Sequence, residues 1–199
     1  VTAMLRQVVE AAPSATAAFE RLKLVYNALE RWTELFDLYD RVIAAQPAED
    51  ARALILEDAV EVARDLAGDS ERAITYLEQL RGMRPRDARI ESQLERLYER
   101  QNKPESLIGL LTARLDRLEG EEARATRFRI ATLWESVDHN RVRALEAIQP
   151  LVEAGDADAL ALVERWIEES VPAPSEGAPR GSYRALAAAT PHVDPMRAP

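Results

Sequence analysis

The stretch Gly68-Asp69-Ser70-Glu71-Arg72-Ala73-Ile74-Thr75-Tyr76-Leu77, running on through Leu80 to Pro85, decides the fold. Gly68-Asp69 supplies a stop and a cap. Ala73, Ile74, Leu77 and Leu80 recur at helical spacing, and Pro85 closes the run. This is one amphipathic helix with both ends marked, and it repeats. Leu35-Phe36, Tyr39, Val42 and Pro47 overlay Ala73-Ile74, Leu77, Leu80 and Pro85. Leu107-Ile108 and Leu111 overlay Ala73-Ile74 and Leu77, and Arg143-Ala144-Leu145 with Ile148 overlays Arg72-Ala73-Ile74 with Leu77. The successive offsets are 38, 34 and 37 residues. Helix pairs recurring at that period cannot bury their apolar faces alone, so neighbours must stack.

The same alternation of helices and breaks runs outward over residues 1–170. Breaks fall at Ala12-Pro13-Ser14, Gln46-Pro47, Arg84-Pro85-Arg86-Asp87, Asn102-Lys103-Pro104, Asp138-His139-Asn140 and Gly155-Asp156. Ser14, Asp69, Asn102 and Asp156 are expected N-caps, and Pro104 suits a first helical turn. Alternating β patterns are missing, so the expected class is all-α with short loops. Helix-pair units are expected at about 15–49, 52–87, 88–121 and 123–157. A final helix over 159–169 would cover the last unit with Leu160, Leu162, Val163, Trp166 and Ile167. Residues 1–12 fit the second helix of a unit whose first helix is missing. With Val1 in place of Met, this leads to the expectation of a section cut from a longer array. Residues 171–199 hold six of the 11 prolines and read as a mobile linker or tail.

These residues also carry a likeness. Gly68-Asp69-(x)3-Ala73-(x)3-Leu77-(x)2-Leu80-(x)4-Pro85 resembles the second half of a tetratricopeptide repeat, with a small residue opening its helix and Pro closing the unit. Phe19, Leu22 and Tyr26 stand where that family has Trp, Leu and Tyr in its first helix, as do Leu94 and Tyr98. Glu57 and Arg64 depart from the Trp and Tyr positions, and Glu135 from the Tyr position. The longer spacings need lengthened turns or helices, and they keep half-a-TPR-like helical repeats beside the tetratricopeptide family. The resemblance implies a right-handed α-α superhelix whose first helices line a concave groove.

Carried across position by position, the resemblance puts Glu20, Leu24 and Asn27 on that groove from the first unit. Asp58, Val62 and Asp65 follow from the second. Arg89, Ser92, Arg96 and Glu99, with Arg100 beside them, come from the third, and Thr126, Arg129 and Leu133 from the fourth. The implied groove runs from acidic to basic. Arg89, Arg96 and Arg100, seven and four residues apart, share one helical face by geometry alone. Such a ladder suits the carboxylates of an extended acidic peptide or a partner helix. The competing expectation is a solvated face paired internally with Glu95 and Glu99. The Lys/Asn/Lys/Arg clamp with which some family members hold a chaperone's C-terminal carboxylate does not occur here.

Composition narrows the function classes. The chain of 199 residues has no Cys and two His (His139 and His192), which removes thiolate chemistry and most His-built metal centres. No metal or cofactor is expected, and no catalytic constellation. His139, the one His beside an acid and an amide, falls in a turn. Trp32, Phe36 and Tyr39, at i, i+4 and i+7, read as core rather than a ligand box, as do Trp134 and Trp166. No run of apolar residues reaches membrane-spanning length. The net charge is −9, and the tail from residue 171 has three arginines against two acids, leaving −10 on residues 1–170. That acidity opposes nucleic-acid binding, although the arginine ladder keeps an RNA-associated repeat as a weaker reading. The leading expectation is a non-catalytic protein–protein interaction module that binds a protein or peptide segment. The rival is a regulatory or substrate-recruiting arm of a larger enzyme. Compartment and oligomeric state are not legible, with the cytoplasm as working expectation.

Overall fold

A computed structural model describes residues 2–11 and 16–170; Ser14 as a cap and the Pro-rich segment 171–199 lie outside the described residues. The described residues are helical and contain no strand. In chain order the helices are α1 (Thr2–Ala11), α2 (Thr16–Ala28), α3 (Trp32–Ala45), α4 (Glu49–Glu61), α5 (Ser70–Met83), α6 (Ala88–Arg100), α7 (Pro104–Leu115), α8 (Gly120–Asp138), α9 (Arg141–Glu153) and α10 (Ala157–Ser170). A π-helical turn, Val62–Leu66, continues α4. The chain divides into two compact units, Val1–Ala147 and Ile148–Pro199.

In the first unit each helix from α1 to α8 packs on its sequence neighbour. Alternate helices are joined by polar side chains. Lys23 of α2 reaches Asp58 of α4, and Arg129 of α8 reaches Glu95 and Glu99 of α6. Tyr76 of α5 reaches Asp40 of α3. Helices α2, α3 and α6 therefore each meet both the next helix and the next but one.

The turns inside the helix pairs explain the repeat. Glu30, Gly68, Asn102 and His139 all have positive φ, at 52, 66, 50 and 49°. Their spacing is again 38, 34 and 37 residues, each five residues ahead of Leu35, Ala73, Leu107 and Ala144. At Glu30 and Asn102 the following N–H bonds five residues back, Arg31 to Tyr26 and Lys103 to Tyr98, at 2.8 Å each. These are Schellman closures, which satisfy the last helical carbonyls. Asn102 therefore closes α2's counterpart α6 rather than capping α7, where Lys103 holds the cap position without a side-chain bond. An Asn tolerates the left-handed region better than most residues, which is why that expectation fails. Asp69 does cap α5, accepting from Arg72 N–H at 2.9 Å, and Pro104 opens α7.

The core of this unit is built from the repeating apolar positions. Leu22, Leu35, Tyr39, Leu56, Tyr76 and Leu94 are fully buried. The Phe19 and Tyr39 rings meet edge-on at 5.5 Å between centroids, and Phe36 lies 6.3 Å from Tyr76. Phe36 and Tyr39 are thus core side chains, with Trp32 and Trp134 half-buried against the same cluster.

The second unit contains the end of α9 and α10, joined through Gly155 at φ 77°. Asp156 caps α10, accepting from the N–H groups of Asp158 and Ala159 at 3.1 and 3.0 Å. Ile148, Ala159 and Trp166 are buried. Leu160 and Ile167, expected on the covering side of α10, are 40% and 60% exposed. They stand seven residues apart on the stripe next to that of Ala159 and Trp166, so burying one stripe leaves the other in solvent.

Candidate functional site

The expected site residues separate into three groups. The first surrounds a depression of about 290 Å³ between α2 and the end of α4, lined by Lys23, Leu24, Asn27, Asp58, Glu61, Val62, Asp65 and Leu66. It brings Asn27, Asp58 and Asp65 together with Leu24 and Val62. Asp58 is engaged on both sides. Its Oδ2 accepts from the Tyr39 hydroxyl at 2.6 Å and from Lys23 Nζ at 2.9 Å. Lys23 also pairs with Glu20 at 2.9 Å. Burial lowers the pKa of the Lys23 ammonium, but its bonds to Asp58 and Glu20 outweigh that and hold it above its usual value. Asp65 is exposed and receives both Nε and Nη2 of Arg64 at 2.7 Å, which keeps its carboxyl below the ordinary range.

The π turn shapes this wall. Ala67 N–H bonds to Val62 O at 2.9 Å and Asp69 N–H to Ala63 O at 2.8 Å, each spanning more residues than an α-helical bond. Arg64 stands at the register position that Tyr26 and Tyr98 occupy in the neighbouring pairs. Those tyrosines are buried, whereas Arg64 reaches outward to Asp65 and, through Nη1, to Gln93 of α6 at 3.2 Å. The turn and the position that breaks the apolar pattern coincide.

The second group lies along α6. Arg89, Ser92, Arg96, Glu99 and Arg100 are all exposed. Asp87 caps this helix, accepting from the Arg89 N–H at 2.8 Å. Arg89 also borders a depression of about 210 Å³ over Val60, Leu77, Leu80 and Ile90, rimmed by Glu57, Glu61, Arg64 and Arg84.

The third group decides how the second is read. Arg129 of α8 takes Glu95 through Nη1 and Glu99 through Nη2, and Arg114 of α7 adds a bond to Glu95 at 3.3 Å. Burial lowers the Arg129 pKa, and these carboxylates more than restore it. Glu95 and Glu99 are therefore spent on α7 and α8 rather than on their own helix. Among the described residues, the side chains of Arg89, Arg96 and Arg100 have no ion-pair partner. Of the positions expected from the fourth unit, Thr126 bonds its own helix at Glu122 O, and Leu133 packs against the core.

Sequence reasoning missed Glu61, Leu66 and the Arg64–Gln93 bridge. Position alone signalled the first two, since both lie on the Asp58–Val62–Asp65 face of one helix. The bridge depends on the π turn. His139 sits exposed at a left-handed turn position with Asn140 capping α9 through Arg143 N–H at 3.1 Å. Among the described residues, no group of three His, Asp or Glu is placed to hold a metal, and no helix is long and apolar enough to cross a membrane. Comparison with known proteins finds no matching family model and no matching curated protein.

Proposed function

We propose that the chain is a non-catalytic interaction module, a tetratricopeptide-like array stacked as a right-handed superhelix, that holds an acidic partner segment on α6. The observation that carries the reading is that Arg129 and Arg114 occupy Glu95 and Glu99, leaving Arg89, Arg96 and Arg100 as exposed guanidiniums. A guanidinium fork matches a carboxylate in two parallel hydrogen bonds, and three on one helix face suit successive acidic side chains. Each exposed pair contributes about 0.2–1 kcal/mol, so the face works by summing pairs and binding falls steeply with salt. Ser92, between Arg89 and Arg96, adds a hydroxyl able to donate or accept.

Fluorescence anisotropy with a labelled octaglutamate peptide at low salt tests this. The intact chain binds it, and Arg89→Glu/Arg96→Glu/Arg100→Glu loses at least ten-fold in affinity with an unchanged far-UV circular dichroism spectrum. Equal affinity for both proteins contradicts the reading.

A further inference from the structure

We propose that the depression between α2 and the π turn is a second binding site, one that takes a basic segment carrying large aliphatic side chains. Leu24 on one wall and Leu66 on the other are 65% and 54% exposed, although they face a common depression. Paired exposed leucines across a concavity are what an aliphatic side chain fills, and the transfer from water supplies the affinity. The polar lining sets the charge of the occupant. The lining carries three carboxylates, Asp58, Glu61 and Asp65, against one ammonium, Lys23, which is spent on Asp58 and Glu20, while Asp65 is held by Arg64 from outside the lining. Glu61 is exposed and has no hydrogen-bonded or ion-paired partner among the described residues, only the more distant charge of Arg64. Charge complementarity therefore calls for Lys or Arg beside the aliphatic group, and disfavours the acidic segment assigned to α6. The Asn27 side-chain amide makes no hydrogen bond within the described residues and offers a donor and an acceptor to a ligand backbone. A π turn in place of α-helix ends the wall that bears Asp65 and Leu66, and π turns recur at functional positions.

The proposal rests on reading the array as a contact module, but not on the α6 arginines. The probes are labelled KKLLKK and KKSSKK peptides, titrated by anisotropy beside octaglutamate. KKLLKK binds at least ten-fold more tightly than KKSSKK. Leu24→Ser/Leu66→Ser removes that preference, and Glu61→Lys weakens both basic peptides several-fold. All three side chains are exposed, and circular dichroism verifies each fold. Arg96→Gln/Arg100→Gln leaves KKLLKK binding intact while weakening octaglutamate binding several-fold, so the two sites fail separately. Equal affinity for the two basic peptides, no binding of either, or retention of the preference in the leucine variant overturns the proposal.

Discussion

Tyr39 donates its hydroxyl to Asp58 Oδ2 at 2.6 Å from the end of a fully buried ring. The same oxygen accepts from Lys23, so one carboxylate ties α2, α3 and α4 together. A second tyrosine–acid pair ties α5 to α3: Tyr76 donates to Asp40 Oδ1 at 2.9 Å, and Arg72 of the same helix reaches Asp40 Oδ2 at 3.1 Å. Tyr98 donates to Glu78 at 2.8 Å. Rings fill the core and hydroxyls find acids at its edge, and among the described residues no buried side-chain polar atom lacks a partner.

These tyrosines make stability pH-dependent. Burial first, and the acceptor carboxylate second, push the hydroxyls of Tyr39, Tyr76 and Tyr98 above their ordinary value of 10.0. Below pH 10 their contribution is whole. As pH rises past 10 the unfolded chain loses protons that the folded chain keeps, so stability falls. Urea midpoints at pH 8, 9.5 and 10.5 should decline at the alkaline end, and Tyr39→Phe/Tyr76→Phe should decline less. An identical decline in both would refute the assignment.

Glu30 is a non-glycine residue at φ 52° in a turn where its repeat counterpart is Gly68. Glu30→Gly should stabilise the fold by about 1 kcal/mol, the approximate cost of the left-handed region for an L side chain. The melting temperature should rise by roughly 2–4 °C. A fall would show that the Glu30 side chain contributes more than its backbone costs.

The amphipathic register predicts opposite outcomes at neighbouring positions. Leu22 is fully buried and Leu24 is 65% exposed. Leu22→Ala should cost about 2–5 kcal/mol in denaturant unfolding, as core truncations do. Leu24→Ala should stay within about 0.5 kcal/mol of the parent. Similar losses at both sites would contradict the placement of the α2 face.

Arg129 is proposed to hold Glu95 and Glu99 away from Arg89, Arg96 and Arg100, not to touch the acidic partner. Arg129→Gln should weaken octaglutamate binding, because it leaves Glu99 unpaired and Glu95 held by Arg114 alone beside the arginines. Adding Glu95→Gln/Glu99→Gln should restore it. If affinity stays at the Arg129→Gln level, Arg129 is itself a ligand and the assignment fails.

Much of this was legible in the sequence. The 38-, 34- and 37-residue offsets read from apolar positions return as the spacing of four left-handed turn residues. Gly68, Asn102 and His139 sit in stretches with visible turn chemistry. Glu30 does not, because that turn is held by backbone bonds from Glu30 to Asn27 and Arg31 to Tyr26. The grouping of Asn27, Asp58 and Asp65 was an expectation carried across from the tetratricopeptide resemblance. Which arginines remain unpaired was not legible, since Glu95 and Glu99 are captured by side chains 19 to 34 residues away. The π turn was equally hidden: it is a choice of backbone partner, and Arg64 in a tyrosine position was its only trace.

The central claim is that exposed, unpaired arginines on α6 select an acidic partner. Its most direct test is a charge swap, titrating Arg96→Glu/Arg100→Glu with octaglutamate and octalysine in parallel at low salt. The account predicts loss of octaglutamate binding by at least ten-fold and a matching gain for octalysine, both erased at high salt. Unchanged affinity for octaglutamate, with the fold verified by circular dichroism, would contradict it.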